Sequence, residues 1–159
     1  MTREEFIGML DKKGYSYKGE GDKIIVNDKR DISFPFLTEL PDNIEFRNGG
    51  YIDLRGVTTL LPGVVFNNKG SVGLSYVTTL YPGVVFRNEG DVSLRSLRAI
   101  PYDVVLSNNG DIDLRDLTMI PSRLRFNNTG NVLLKWKFDI EGIRSKEILN
   151  TMIKRKIII

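Results

Sequence analysis

The chain contains no cysteine and no histidine among its 159 residues. Without cysteine there is no disulfide framework, no thiolate nucleophile and no cysteine-based zinc site. Without histidine, the commonest general base and the commonest ligand of transition metals are missing. These absences argue against most familiar active sites, so we expect a protein that is not an enzyme and that holds no metal or cofactor.

Long apolar runs are also missing, because no stretch approaches the roughly 18 apolar residues of a membrane-spanning helix. The opening MTREEFIGML carries acidic side chains and an interrupted apolar pattern, so it does not predict a signal peptide. At the other end, three basic residues precede Ile157, Ile158 and Ile159, which is too little for stable membrane anchoring. A final strand or helix end is expected there, and the expected location is the cytoplasm.

The net charge of +3 suggests nucleic-acid binding until the charges are located. Residues 1–36 hold seven basic and seven acidic side chains, and residues 37–136 hold ten of each. The last 23 residues hold six basic and three acidic side chains, which accounts for the whole excess. A protein that binds a phosphate backbone usually carries its charge on the binding body. Nucleic acid is therefore not expected as a partner.

A 20-residue repeat dominates the rest of the sequence, and we call residues at the same repeat position a column. The asparagine column is Asn48, Asn68, Asn88, Asn108 and Asn128. A glycine column follows two residues later, from Gly50 to Gly130. The apolar columns begin at Leu40, Phe46, Ile52, Leu54 and Val57. A proline follows the Leu40 column in every repeat, at Pro41, Pro62, Pro82, Pro101 and Pro121.

The consensus L-P-x-x-V-x-F-x-N-x-G-x-V-x-L-x-x-V contains two alternating segments, V-x-F and V-x-L, with the period of a half-buried strand. Between them, N-x-G predicts a tight turn in which glycine supplies a positive φ. A wider corner without alternation follows. One such unit buries too little alone, so the units must stack with their strands parallel. The sequence predicts a right-handed parallel β-solenoid of five to six coils.

The asparagine column has a physical reason to recur, since an identical turn leaves the same backbone groups unpaired in every coil. A buried asparagine can bond those groups and its counterparts in the coils above and below. We therefore interpret this column as a structural ladder.

The two ends of the solenoid need covers, because an open sheet edge recruits other chains. We expect one domain over residues 1–159, with a helix and hairpin cap over 1–22, the solenoid over 23–136 and a C-terminal cap over 137–159. Thr2 and Glu5 form a capping box, Phe6, Met9 and Leu10 give the first helix an apolar face, and Gly14 ends it. A hairpin around residues 19–22 leads into a half-formed coil from residue 23. Ser145 predicts the start of a C-terminal capping helix with Ile148, Leu149, Met152 and Ile153 on one side.

The repeat units from Leu40 to Val57 (LPDNIEFRNGGYIDLRGV) and from Tyr81 to Leu97 resemble repeats in uncharacterised proteins of tailed bacteriophages and some bacteria. The resemblance covers about residues 24–136 and implies an architecture, without any shared activity. A more distant likeness links the repeats to bacterial leucine-rich repeats. In those, an asparagine ends the strand, at positions where this chain has Val57, Val77, Leu97 and Leu117. A leucine-rich-repeat-like solenoid is the second choice of fold.

Outward columns of the second strand gather charge. Asp91, Asp111 and Asp113 are expected to lie within about 5–7 Å of one another, and Arg95 and Arg115 flank them. Paired carboxylates can serve acid–base catalysis, so this face supports an alternative as a carbohydrate- or small-ligand-binding or processing solenoid. The simpler interpretation is a solvated, charge-balanced face.

The first strand instead presents Val65, Val85 and Val105 outward in successive coils, with Glu45 and Arg125 at the ends of this column and Arg47 and Arg87 in the adjacent column. An apolar strip with a polar rim is typical of a protein-binding surface. β-Branched residues also simply favour strands, and a cap could fold over them. The leading hypothesis is a protein-binding scaffold, with a phage-encoded protein that engages a host or phage protein as its specific form; its oligomeric state is left open.

Overall fold

A computed structural model of the chain describes residues 1–119, 127–135 and 157–158. In chain order the elements are α1 (Arg3–Lys13), β1 (Tyr17–Glu20), β2 (Lys23–Val26), β3 (Ile32–Ser33), β4 (Ile44–Phe46), β5 (Ile52–Asp53), β6 (Thr59–Leu60), β7 (Val65–Phe66), β8 (Val72–Gly73), β9 (Thr79–Leu80), β10 (Val85–Phe86), β11 (Val92–Ser93), β12 (Val105–Leu106), β13 (Ile112–Asp113), β14 (Val132–Leu133) and β15 (Ile157–Ile158).

Parallel pairing between strands 20 residues apart stacks the repeats into a β-solenoid of about five turns. The first sheet has the order β1-β2-β4-β7-β10-β12, and the second has the order β15-β14-β13-β11-β8-β5-β3. Register is exact to the residue, so that Val85 lies opposite both Val65 and Val105. The stacking that the repeat predicted is confirmed, and it favours the β-solenoid over the leucine-rich-repeat alternative.

The wider corner of the repeat contains a third, short parallel sheet, which the sequence did not predict. Strands β6 and β9 pair there, with Thr59 opposite Thr79 and Leu60 opposite Leu80. Single bridges continue this pairing between Glu39 and Thr59 and between Ala99 and Met119. The apolar columns of this corner, at Val57 and Leu60, lie three positions apart, so no alternation marks a strand there. The solenoid therefore has three faces.

The inward columns form one hydrophobic cluster that runs from Phe6 in α1 to Leu134. Phe46, Phe66 and Phe86 stack inside it with parallel rings, at centroid distances of 5.3 and 5.2 Å. The spacing follows from the separation of neighbouring strands in a sheet, about 4.8 Å. An identical residue in each turn thus packs against its own copies.

The glycine column corrects the expectation of a positive φ. In the part of the chain that the structure describes, the glycines with positive φ are Gly14, Gly21, Gly63 and Gly83, and none belongs to that column. The column is needed because successive turns touch through their backbones. A Cβ on Gly90 would lie 2.5 Å from the Ser71 nitrogen and 2.6 Å from the Gly70 carbonyl carbon, which is far inside van der Waals contact.

The N-terminal cap forms as predicted. Thr2 and Glu5 make the capping box of α1, and Gly14 ends the helix in the left-handed conformation. Phe6 and Leu10 are buried, and Met9 packs against the core at its edge. Strand β1 pairs antiparallel with β2, which in turn pairs in parallel with β4. The coil that begins at residue 23 therefore takes full part in the first two sheets.

The predicted C-terminal capping helix, with Ser145, Ile148, Leu149, Met152 and Ile153, lies outside the described residues. So do Arg125 and the proline at Pro121. The final isoleucines include strand β15, in which Ile157 pairs in parallel with Val132 and Ile158 with Leu133. The expectation of a final strand or helix end there is resolved in favour of a strand.

Candidate functional site

Three valines lie side by side on the outside of the first sheet. Val65, Val85 and Val105 are paired in register across β7, β10 and β12, and each is half-buried. Their sequence neighbours Phe66 and Phe86 point into the core and are fully buried. Alternation along each two-residue strand thus leaves one valine per turn on the surface. We call these three residues the valine strip.

One polar column borders the valine strip two residues further along each turn. Its members are Arg47, Asn67, Arg87, Ser107 and Asn127. Arg47 is engaged by Glu45, with Nε 2.5 Å and Nη2 3.0 Å from the two carboxylate oxygens. Arg87 is exposed and forms no ion pair with any residue in the described part of the chain. It is therefore available to meet an external carboxylate.

Glu45 occupies the position of the valines in the preceding turn and closes the strip on that side. Its exposure is only 5%. Lys23 Nζ lies 3.3 Å from the carboxylate, which thus has two cationic neighbours. The hydrogen bonds from Arg47 hold the pKa of Glu45 below its ordinary value. This satisfied ion-pair cluster separates the valine strip from the N-terminal hairpin.

A corner that the sequence did not single out carries two exposed aromatic side chains. Tyr81 and Tyr102 are 45% and 69% exposed, and they belong to the turns that lead into Val85 and Val105. In the turn of Tyr81, Pro82 precedes Gly83, whose φ is +85°. Proline followed by a glycine with positive φ is the signature of a type II turn. The two tyrosines occupy different columns, so no periodicity drew attention to them.

The carboxylates of Asp91 and Asp111 are occupied by the backbone of the next turn. Asp91 Oδ1 accepts the Asp111 N–H at 2.8 Å, and Asp111 Oδ1 accepts the Asn131 N–H at 2.7 Å. The same arrangement begins earlier in the column, where Asp31 accepts the Tyr51 N–H at 2.8 Å. This outward column therefore fastens one turn to the next.

Asp113 is held by arginines. Arg115 donates to both carboxylate oxygens, from Nε at 2.8 Å and from Nη2 at 2.6 Å, and Arg95 Nε lies 3.3 Å away. The hydrogen bonds from Arg115 hold the pKa of Asp113 below its ordinary value. A carboxyl group kept ionised in this way is a poor proton donor near neutral pH. The same bidentate pair occurs in an earlier turn, where Arg55 donates to both carboxylate oxygens of Asp53.

The asparagine column lies at the turn between the first two sheets. Asn48, Asn68, Asn88 and Asn108 are buried, and Nδ2 of each donates to the glycine carbonyl two residues later at 2.6–2.9 Å. The expected amide-to-amide chain is not formed, because Oδ1 of every asparagine in the column lacks a partner among the described residues. The short hydrogen bond of each amide lies within its own turn. Nδ2 of Asn48, Asn68 and Asn108 also donates at 3.4 Å to a backbone carbonyl of the preceding turn, so the column adds weaker bonds between turns.

Among the described residues, no helix is both long enough and apolar enough to cross a membrane. Within the same ranges, no group of three or more acidic side chains is arranged to hold a metal ion. Comparison with protein-family models, with curated proteins and with solved structures finds no match to this chain.

Proposed function

We propose that this protein is a non-enzymatic binding module whose contact surface is the valine strip together with Tyr81 and Tyr102. The observation that carries the proposal is the in-register placement of three half-buried valines on an outer sheet face. An apolar centre that a partner desolvates, surrounded by polar groups, is the usual anatomy of a protein interface. Tyrosines with an apolar ring and a polar hydroxyl are enriched in such interfaces.

The partner is a protein that offers an apolar ridge with a carboxylate beside it. The ridge would cover the valines, which project from a regular sheet at a spacing of about 4.8 Å. The carboxylate would meet Arg87, whose guanidinium is suited to bidentate recognition. Arg47 contributes less, because Glu45 already neutralises it. The repeat's resemblance to phage proteins supports a phage-encoded module that engages a host or phage protein in the host cytoplasm.

The test compares two matched double variants. Val65→Glu with Val85→Glu places charges on the valine strip, and Thr59→Glu with Thr79→Glu places them in register on the third sheet. A photoreactive residue at position 105 identifies the partner by cross-linking and mass spectrometry. We expect the strip variant to lose the cross-linked partner and the threonine variant to retain it, at equal thermal stability.

Arg87→Glu tests the carboxylate on the partner without touching the sheet. Reversing this exposed charge should weaken binding at least about tenfold, since a close like-charge contact replaces an attractive one. Partner recovery that is equal for wild type, the strip variant and Arg87→Glu would reject the proposed surface. Cross-links only to a second copy of this chain would show self-association instead and would overturn the proposed partner.

A further inference from the structure

Two Asn-Gly dipeptides occur in the chain, at Asn48-Gly49 and Asn109-Gly110. Both lie in the turn between the first two sheets, in different repeats and one position out of step. Asparagine is a thermolabile residue, and a following glycine leaves the next backbone nitrogen unhindered because it has no side chain. The structure places the two dipeptides in opposite environments.

In an Asn-Gly dipeptide the glycine nitrogen can attack the asparagine side-chain amide. In Asn48-Gly49 hydrogen bonds hold both of these groups in place. The Asn48 side chain is buried, and its Nδ2 donates to the Gly50 carbonyl at 2.9 Å. The Gly49 N–H donates to the Asp28 carbonyl of the preceding turn at 3.0 Å. An attack of this nitrogen on the side-chain amide would break both hydrogen bonds within the fold.

In Asn109-Gly110 neither the side-chain amide nitrogen nor the glycine nitrogen is held by a hydrogen bond to a described residue. The Asn109 side chain is exposed, and Thr129 Oγ1 donates to the Asn109 backbone carbonyl at 2.9 Å, while the side-chain Oδ1 lies 3.4 Å from the same hydroxyl. The Gly110 N–H has no hydrogen-bond partner among the described residues, whereas the Asn109 N–H is anchored to the Asn88 carbonyl at 3.0 Å.

We propose that Asn109 is a site of spontaneous deamidation in the folded protein. The Gly110 nitrogen forms a bond to Cγ of Asn109, the bond between Cγ and Nδ2 breaks, and ammonia leaves with the proton from the Gly110 nitrogen. The resulting succinimide is opened by water at either of its carbonyls. The product is an aspartate or an isoaspartate at position 109.

Isoaspartate would damage this turn because it adds a methylene to the main chain where the turns already touch. A Cβ on Gly110 would lie 2.6 Å from the Asp91 nitrogen, and one on Gly130 would lie 2.8 Å from the Asp111 nitrogen. The new carboxylate also joins Glu89, in the same column of the preceding turn, and adds like-charge repulsion. Ageing at Asn109 should therefore loosen the solenoid at its fourth regular turn.

The test incubates the native protein at mildly alkaline pH and follows the peptides by mass spectrometry, with chromatography to separate aspartate from isoaspartate. Urea-unfolded protein serves as the reference, since both dipeptides then lose their structural differences. We expect the two sites to react at similar rates when unfolded, and Asn109 to exceed Asn48 about tenfold or more in the native state.

Asn109→Gln is the matched variant, because the longer side chain keeps the amide but forms the cyclic product far more slowly. It should retain the wild-type denaturation midpoint throughout the incubation, while the midpoint of the wild type falls as isoaspartate accumulates. Equal native rates at the two sites, or an Asn109 that is unchanged when the unfolded protein has been converted, would overturn the assignment.

Discussion

The first turn of the solenoid and the regular turns after it place different groups at the same buried position. Asp28 lies 20 residues before Asn48 and heads the asparagine column. Its carboxylate accepts four hydrogen bonds, from the Ser16 N–H and from the backbone and guanidinium of Arg30, at 2.8–2.9 Å. The asparagines of the regular turns donate short hydrogen bonds within their own turns and, in three of them, long ones to the preceding turn, but leave Oδ1 without a described partner.

The difference arises from what each turn touches. The first turn meets the cap, where Arg30 also donates to the Gly14 carbonyl at the end of α1 and lies over the Tyr15 ring at 5.2 Å. A regular turn meets only another turn, whose backbone offers the same groups again. The repeat therefore departs from its consensus at residue 28 because the cap supplies donors that an internal turn does not have.

The cap and the regular turns differ most in how closely other backbone atoms approach their glycines. The largest loss of stability is therefore expected for Gly90→Ala, in a regular turn. The new Cβ would lie 2.5–2.7 Å from the backbone and hydroxyl of Ser71 and from Gly70, and backbone of a stacked turn yields little. Overpacking of this kind should cost about 3 kcal/mol. Chemical denaturation measures the loss.

Gly8→Ala in α1 is the control from the cap, because nothing lies within 4 Å of its Cβ position. Alanine is favoured over glycine in a helix interior, so this variant should gain about 0.5–1 kcal/mol. A Gly90→Ala protein as stable as wild type would mean that the turns do not stack at the described distance.

A smaller effect is expected for Asn88→Ala, which removes the 2.6 Å hydrogen bond to the Gly90 carbonyl. The half-buried Gly90 carbonyl then keeps only the 3.4 Å hydrogen bond from Asn108 Nδ2. Loss of a donor to a buried group costs roughly 1–3 kcal/mol, and the remaining bond and removal of the unpartnered Oδ1 offset a part of this. We expect a net loss of about 1–2 kcal/mol. Because no amide chain joins the turns, the double variant with Asn68→Ala should show additive losses.

Asn67→Ala is the matched control, because Asn67 is exposed and directly precedes the buried Asn68 of the asparagine column. It should stay within about 0.5 kcal/mol of wild type. Asn128→Ala should also cost less than Asn88→Ala, because Asn128 is half-buried and its hydrogen bond is long, at 3.5 Å. If Asn67→Ala were as damaging as Asn88→Ala, the inward and outward positions would be exchanged, and the valine strip would be an artefact of that error.

The columns made most of this architecture predictable. A strict 20-residue period fixes the register, and two-residue alternation decides which side chains enter the core, so Phe66, Asn68 and Leu74 were placed inside correctly. The third sheet was missed because its apolar columns, at Val57 and Leu60, lie three positions apart and therefore show no alternation. The glycine column was misinterpreted because a positive φ and a close backbone approach select the same residue.

The candidate surface was only partly predictable, because function at a surface need not repeat. The valines form a column and were found, whereas Tyr81 and Tyr102 break their columns and were not. The cluster of Asp91, Asp111 and Asp113 was read from sequence as charges facing solvent. Hydrogen bonds to the next turn and to Arg115 depend on side-chain geometry that spacing alone does not contain.

The smallest effect concerns the charged position of the first turn. Asp28→Asn keeps an acceptor for the Ser16 N–H. It removes the negative charge that pairs with Arg30, and it places an amide N–H donor next to the cationic guanidinium. Arg30 is more than half exposed, so solvent screens the pair. We expect a loss of about 1 kcal/mol at neutral pH, below the usual value for hydrogen bonds to a charged group because of this screening.

The pH dependence of that loss distinguishes a contribution from the ionised Asp28 carboxylate from one made by uncharged hydrogen bonds. The hydrogen bonds from Arg30 hold the pKa of Asp28 well below its ordinary value, so the folded state binds a proton there less readily than the unfolded state. The contribution of Asp28 is therefore fully present above the unfolded value of about 3.9 and is lost as the pH falls below it. Wild type and Asp28→Asn should differ in free energy of unfolding at pH 7 and converge toward pH 2.

Glu45, Asp53 and Asp113 are held by arginines in the same way and titrate in both proteins, so they cancel in the difference. A difference that stays constant from pH 7 to pH 2 would mean that the charge of Asp28 contributes nothing and that Asp28 acts through uncharged hydrogen bonds, as the asparagines do in the regular turns.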